Sequence, residues 1–211
     1  ITVGEINLPP GAADDLYGTP EDTPLAVAAP GLLVNDTDPD LPPNALSAAI
    51  GTPPALGELA LAVDGSFVYM PTLNFNGAIT FVYILSDGVL TDTATATITI
   101  AAVNDPPVLA SIGDQIVDEL TLLSFTANAS DVELDNFTFS LDPGAPAGAA
   151  ITSGGDFTWT PTEAQGPGVY TVTVRVTDDG SPAASSSETI QITVSEVNLA
   201  PVLNPIGDRS G

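Results

Sequence analysis

Carboxylate oxygen is the only metal-binding or catalytic chemistry this sequence holds in quantity. Asp and Glu total 27 of 211 residues, against two cations, Arg175 and Arg209, for a net charge of −25. The absence of His and Cys removes the imidazole base, thiol chemistry and the usual zinc site. The absence of Lys removes the Schiff base, the P-loop and a Lys–Asn isopeptide crosslink. Two runs carry acids on alternate residues: NDTDPD (35–40), with Asp36, Asp38 and Asp40, and SDVELD (130–135), with Asp131, Glu133 and Asp135. Alternate acids in a tight loop can aim several oxygens at one point, as a hard divalent cation requires. A later loop is acidic in both halves, through Asp87 in one and Asp178 and Asp179 in the other. Each half also has an early acid, Glu21 in PEDTPL and Glu119 in VDEL. Composition admits a second reading, an acidic surface suited to salty water, whose self-repulsion needs screening or bound cations. For Asp64 and Asp156 turn chemistry is the expected role. A glycosidase needs two carboxylates at a set spacing. With this many acids some pair always falls there, so no enzyme is read from them.

The charge makes nucleic acid and anionic membrane poor partners, because nothing neutralises phosphate. No apolar run approaches the roughly 20 residues that span a bilayer, so membrane insertion is not expected. A 44% hydrophobic content argues against a disordered acidic tail.

The elements that must hold the acids read as strands. Apolar residues alternate in FVYMP (67–71), ITFVYILSDG (79–88) and TATATITIAAV (93–103). The second half repeats this in FTFSL (137–141), VYTVTVRVTDDG (169–180) and TIQITV (189–194). One oily and one polar face per strand is the pattern of an antiparallel sheet packed on a second sheet. VDGS (63–66) reads as a two-residue hairpin, and GTPPALG (51–57) and DPGAPAG (142–148) as loops. The expectation is all-β: two tandem Greek-key β-sandwiches of about seven strands each. Trp159, in DFTWTP, is expected in a core; with Tyr69, Tyr83 and Tyr170 it is also the candidate platform for a sugar.

A repeat sets the boundaries. ITVGEINLPP (1–10), ITIAAVNDPPVLASIGD (98–114) and ITVSEVNLAPVLNPIGD (192–208) are near-copies. Their asparagines, Asn7, Asn104 and Asn198, are spaced by 97 and 94 residues, the size of one small domain. Residues 1–7 are expected to end a preceding module, 8–103 and 104–197 to form two modules, and 198–211 to begin another. The chain reads as a segment of a longer array.

EDTPL, NDTDPD, GSFVYMPTLNFNG and SDGVLTDTATATITIAAVNDPPV resemble bacterial cadherin-like and Ig-like repeats. GDQIVDE, GDFTWTPTEAQGPGVYTVTVRVTDDG and EVNLAPVL are similar to dystroglycan-type cadherin-like repeats. The resemblance implies Ca2+ at the junctions between modules, with ligands from the upper module, the linker and the lower module. Carried over residue by residue, the central junction would use Glu21, Asn104, Asp105, Asp131, Glu133 and Asp178. The incoming one would use Asn7, Asp36, Asp38 and Asp87, and the outgoing one Glu119, Glu163 and Asn198. The linker Asp105 is replaced by Leu8 and Leu199 at the other two, and module one offers Asn74 and Asn76 where a late-loop acid would help. The function implied is a non-enzymatic, calcium-stiffened structural or adhesive segment of an extracellular bacterial surface or matrix protein. Its partners would be neighbouring modules, with homotypic contacts or surface glycans beyond them. The alternatives are a self-assembling fibre subunit and a carbohydrate-binding module.

Overall fold

The computed structural model describes residues 6–198, and the chain divides into two compact units between Val103 and Asn104. The flanking half-modules expected at 1–7 and 198–211 lie almost wholly outside the described residues.

Module one has strands β1 (Asp15–Pro20), β2 (Leu25–Val27), β3 (Ser47–Thr52), β4 (Glu58–Leu61), β5 (Phe67–Met70), β6 (Gly77–Ser86) and β7 (Thr91–Ala101). One sheet runs β1-β7-β6-β3 and the other β2-β5-β4, so the β3–β4 and β5–β6 connections both cross between sheets. The long β6–β7 hairpin sets the register, with Phe81 opposite Ala96 and Tyr83 opposite Ala94. Large and small inward residues thus face each other across one pair. Phe67, Tyr69, Phe81, Tyr83, Leu85 and Ile98 are the centre of the core. β1 lies parallel to β7, which brings Asp15 opposite Ala96 on the inward side.

The VDGS turn differs from the expected two-residue loop. Gly65 N–H donates to Ala62 O (3.1 Å) and Ala62 N–H to Ser66 O (2.8 Å). This is a three-residue loop closed by Gly65 at φ 81°, a conformation that glycine adopts without steric cost. Asp64 Oδ1 accepts from Ser66 N (3.1 Å) and Oγ (2.6 Å), the turn role expected of it.

Module two has β8 (Val108–Leu109), β9 (Gln115–Asp118), β10 (Leu123–Thr126), β11 (Ala129–Ser130), β12 (Phe137–Leu141), β13 (Ala150–Ile151), β14 (Asp156–Trp159), β15 (Gly168–Asp178) and β16 (Ser185–Ser195). The sheets run β12-β15-β16-β9, β10-β14-β13 and β11-β8. The described strands number nine, not seven, because the first two strands are each interrupted, the first between β8 and β9 and the second between β10 and β11. Residues 110–114 leave the sheet, so β8 pairs with β11 and β9 pairs in parallel with β16. Glu188 holds that excursion, accepting from Ile112 N (2.8 Å) and Gly113 N (3.1 Å).

Trp159 is 1% exposed and packs edge-on against Tyr170 at 5.1 Å, its Nε1 donating to Ala147 O (3.2 Å). Tyr69 and Tyr83 are also buried. Three of the four aromatics considered for a sugar platform therefore offer no face to a ligand. Their alternation placed them inward, as β-sandwich packing requires.

Candidate metal centre

The acids gather at the strand ends of each module, and the two modules use the same scaffolding. In module two Glu119 follows β9, anchored by its own N–H to Ser195 O (3.0 Å). Its side chain is 1% exposed. Oε1 accepts from Val197 N (3.0 Å), whereas Oε2 is buried without a hydrogen-bond partner. Glu163 opens a one-turn 3-10 helix (Glu163–Gln165) closed by a capping box, with Gln165 Oε1 accepting from Thr162 N (2.8 Å). Glu196 directly follows β16. One carboxylate oxygen from each of Glu119, Glu163 and Glu196 lies within 4.8 Å of the others. A side chain at Gly166 would run into Glu119 Oε2, so glycine keeps the space beside that oxygen open.

Sequence reasoning brought Glu119 and Glu163 together and missed Glu196. The available signal was position: Glu196 is the residue before the Val-Asn of the repeated linker, where module one has Ala102. Asn198, the third residue of the expected outgoing set, is exposed at the end of the described chain.

Module one repeats the buried glutamate without its companions. Glu21 N–H donates to Ala101 O (2.8 Å), Oε1 accepts from Val103 N (2.6 Å), and Oε2 is buried without a partner. The turns Thr72–Phe75 and Thr162–Gln165 have the same N–H to O closure, which sets exposed Leu73 where module two has Glu163.

At the linker side of module two, Asn104 Nδ2 donates to Asp178 Oδ2 (3.1 Å) and to Pro182 O (3.2 Å). Asp105 N–H donates to Glu133 Oε2 (3.3 Å). Asp131 Oδ1 accepts from Glu133 N (2.9 Å), and its Oδ2 is buried with no hydrogen-bond partner. Asp178 is buried and accepts from Gly180 N (3.1 Å) and Ala184 N (2.8 Å). Desolvation pushes the Glu133 carboxyl up, and it does the same to Asp135, which Asp131, Asp179 and Asp178 crowd with like charge. Asn104, Asp105, Asp131, Glu133 and Asp178 thus come together within this module. Glu21, assigned with them from the sequence, belongs to module one.

The matching end of module one shifts the assignment by two residues. Asn7 Nδ2 donates to Asp87 Oδ2 (2.9 Å), as Asn104 does to Asp178. Leu8 N–H donates to Asp40 Oδ1 (3.1 Å), as Asp105 N–H does to Glu133. Asp38 Oδ1 accepts from Asp40 N (2.9 Å) and its Oδ2 is buried without a partner, as in Asp131. The counterparts of Asp131 and Glu133 are therefore Asp38 and Asp40. Asp36 takes no part in this set. Its carboxylate accepts from Ala13 N (2.8 Å) and from the Tyr83 hydroxyl (2.9 and 3.1 Å). Backbone donors at Leu90 and Val89 hold Asp87 below the usual carboxylate range.

The donor set fits a hard cation. It is all carboxylate and amide oxygen, and four of its acids, Glu21, Asp38, Glu119 and Asp131, each carry a buried oxygen with no hydrogen-bond partner. Such an oxygen costs free energy unless a proton or a cation meets it.

These features define a class: a tandem of β-sandwich repeats whose strand ends carry clustered carboxylates. Residues 7–102 match the family model for the bacterial cadherin-like domain, and residues 106–195 the model for a putative Ig domain. The chain thus carries, in tandem, one segment that matches the bacterial cadherin-like domain and one that matches a putative Ig domain. Among solved structures it is similar to human CDH23 EC21-23 (15% identity, TM-score 0.54), covering 89% of this chain and 69% of that one. It is also similar to Drosophila N-cadherin EC1-4 (13% identity, TM-score 0.57), covering 90% and 50%. Protocadherin Gamma B2 extracellular cadherin domains 3-6 match at 19% identity and TM-score 0.57, covering 90% and 48%. The chain thus spans about half the length of the latter two. None of the curated proteins matches the chain. No helix among the described residues is long and apolar enough to cross a membrane.

Proposed function

We propose that this chain is a non-enzymatic, calcium-stiffened segment of an extracellular bacterial surface or matrix protein. In this reading Ca2+ is held where one module follows the next, and the segment spaces or presents other parts of its parent protein. The observation that carries the reading is Glu119: a fully buried carboxylate with one unpartnered oxygen, grouped with two further carboxylates. Among the described residues the cluster has no cationic partner, since Arg175 is the only cation there and pairs with Asp142 at 2.6 Å. A divalent ion supplies the missing charge and accepts carboxylate oxygens without demanding fixed geometry.

Glu119, Glu163 and Glu196 would supply one cluster, with Asn198 beside it. Asn104, Asp105, Asp131, Glu133 and Asp178 would supply the next, with Glu21 contributed from module one. Asn7, Asp38, Asp40 and Asp87 would supply the incoming one, with Leu8 replacing the linker acid. Neighbouring modules are the first partners, and homotypic contacts between arrays the second.

X-ray scattering of the chain in excess chelator and then in millimolar calcium tests the mechanical part. The expected result is a narrower distribution of maximum dimensions in calcium and no such change with magnesium. Identical profiles in all three conditions would remove calcium-dependent stiffness from the account.

A further inference from the structure

Asp15 and Asp36 form a pair of acids inside module one that the junction reading does not use. Asp15 sits on β1, 5% exposed and opposite Ala96, and its Oδ2 has no hydrogen-bond partner. Asp36, two residues beyond the one-turn 3-10 helix Gly31–Val34, lies beside it and adds like charge. Residues 1–103 contain no Lys, Arg or His, so no side chain of this module can neutralise the pair. A buried carboxylate without a counter-charge is costly. The backbone nevertheless holds both acids in place. Asp15 is fixed by the parallel register of β1 with β7, and Asp36 by the bridge beside it, in which Gly11 N–H donates to Thr37 O (2.8 Å) and Thr37 N–H to Gly11 O (3.0 Å).

Acceptor oxygens around the pair outnumber the hydrogens. The Tyr83 hydroxyl on β6 lies 3.0 Å from Ala13 O, 2.9 Å from Asp36 Oδ1 and 3.1 Å from Asp36 Oδ2, and it also approaches Asp15. It has a single hydrogen to give them. Tyr17 on β1 reaches Asp15 Oδ1 only at 3.5 Å. Ala13 N–H serves Asp36 Oδ1 (2.8 Å), which leaves Asp36 Oδ2 with only a share of the Tyr83 hydrogen. Surplus carboxylate and carbonyl oxygens about 3 Å apart are what a hard divalent cation gathers at about 2.3–2.6 Å. Asp92, at the start of β7, adds a further negative charge at Asp36 and so strengthens the attraction for a cation.

We propose that Asp15 and Asp36 hold a hard divalent cation inside module one, with Ala13 O and the Tyr83 oxygen next to it and water completing its shell. The site is built from two acids, unlike the three-acid Glu119 group of module two. It is also separate from the set at the incoming end. There Asp38 Oδ1 accepts from Asp40 N (2.9 Å) and Asp40 Oδ1 from Leu8 N (3.1 Å), whereas Asp36 is engaged by Ala13 and Tyr83. The ion would join β1, an edge strand of its sheet, to the segment after the 3-10 helix and to β6. Its role is therefore to staple the module itself, not to set the angle of a junction.

The test is carbon-detected NMR of the side-chain carboxyls in the full chain at neutral pH, with calcium and magnesium added separately after chelator treatment. The Asp15 and Asp36 carboxyl resonances should shift together and saturate with at least one of the two ions, and the Ala13 amide should shift with them. In Asp15→Asn the Asp36 response should be lost, while Asp38, Glu119 and Asp131 still respond to calcium. An Asp15 carboxyl that stays unmoved in the wild type up to millimolar concentrations of either ion would overturn the proposal. So would an Asp36 response that persists undiminished in Asp15→Asn, because the ion would then belong to the Asp38 set. Asp15 and Glu119 are read in the same spectra, so failure of this site and failure of the junction sites are told apart. The wild-type titration decides the matter even if the variant fails to fold.

Discussion

Replacing Glu119 by Gln should change stability with opposite sign in chelator and in calcium. Gln keeps the shape and still offers an oxygen to Val197 N–H. At the other position it places an amide N–H2 where Glu119 has its unpartnered Oε2, in a group that includes the carboxylates of Glu163 and Glu196. Two unit charges 4.8 Å apart repel by about 0.9 kcal/mol at the dielectric of water and about 3.5 kcal/mol at an effective dielectric near 20. Glu163 and Glu196 are exposed, so the low end applies, and salt reduces it further. Removing one charge relieves two such pairs, roughly 1–2 kcal/mol in all, or about 5–10 °C in the melting of a module this size. In chelator Glu119→Gln should therefore melt higher than the wild type. In calcium the order should reverse. Ion at 100 times its Kd stabilises the wild type by about 2.7 kcal/mol, and most of that should vanish with the charge. Calorimetric melting in both conditions is the assay. Equal destabilisation in chelator and calcium would refute the reasoning, because Glu119 would then be only a structural acceptor for Val197 N–H.

Two further perturbations follow from the same geometry. Gly180→Ala would drive a methyl into Asn104 Oδ1 and bring it to 2.6 Å from Asp135 Oδ2. It should break the Asn104–Asp178 bond and cost module two about 1–2 kcal/mol in urea unfolding, with a weaker calcium response; an unchanged midpoint would show that the loop yields freely. The double variant Leu73→Glu, Ala102→Glu would surround Glu21 with the acids that surround Glu119. It should lower the module-one midpoint in chelator and raise it in calcium, and a drop in both would show that position alone does not build the site.

The strands were legible because their alternation is dictated by burial on one face: Phe81, Tyr83 and Leu85 all turn inward as their period requires. The β8–β9 interruption was not legible, since it depends on Glu188, a distant acid that accepts from Ile112 and Gly113. The linker asparagines and loop acids were legible as types. Their pairing was not, because NDTDPD offers three equally spaced acids and spacing cannot say which one turns inward. Tyr83 decides it, by drawing Asp36 away and leaving Asp38 and Asp40 to match Asp131 and Glu133. Glu196 escaped notice because a single acid after a strand has no pattern; only the folded position of Glu119 and Glu163 gives it a role.

The central claim is that these acids bind calcium, and calorimetric titration of the chelator-treated chain tests it most directly. The account predicts saturable calcium heats that magnesium does not reproduce, reduced in Glu119→Gln and in Asp131→Asn. The absence of any calcium-specific heat up to millimolar concentration would contradict it and leave the carboxylates as a solvated acidic surface.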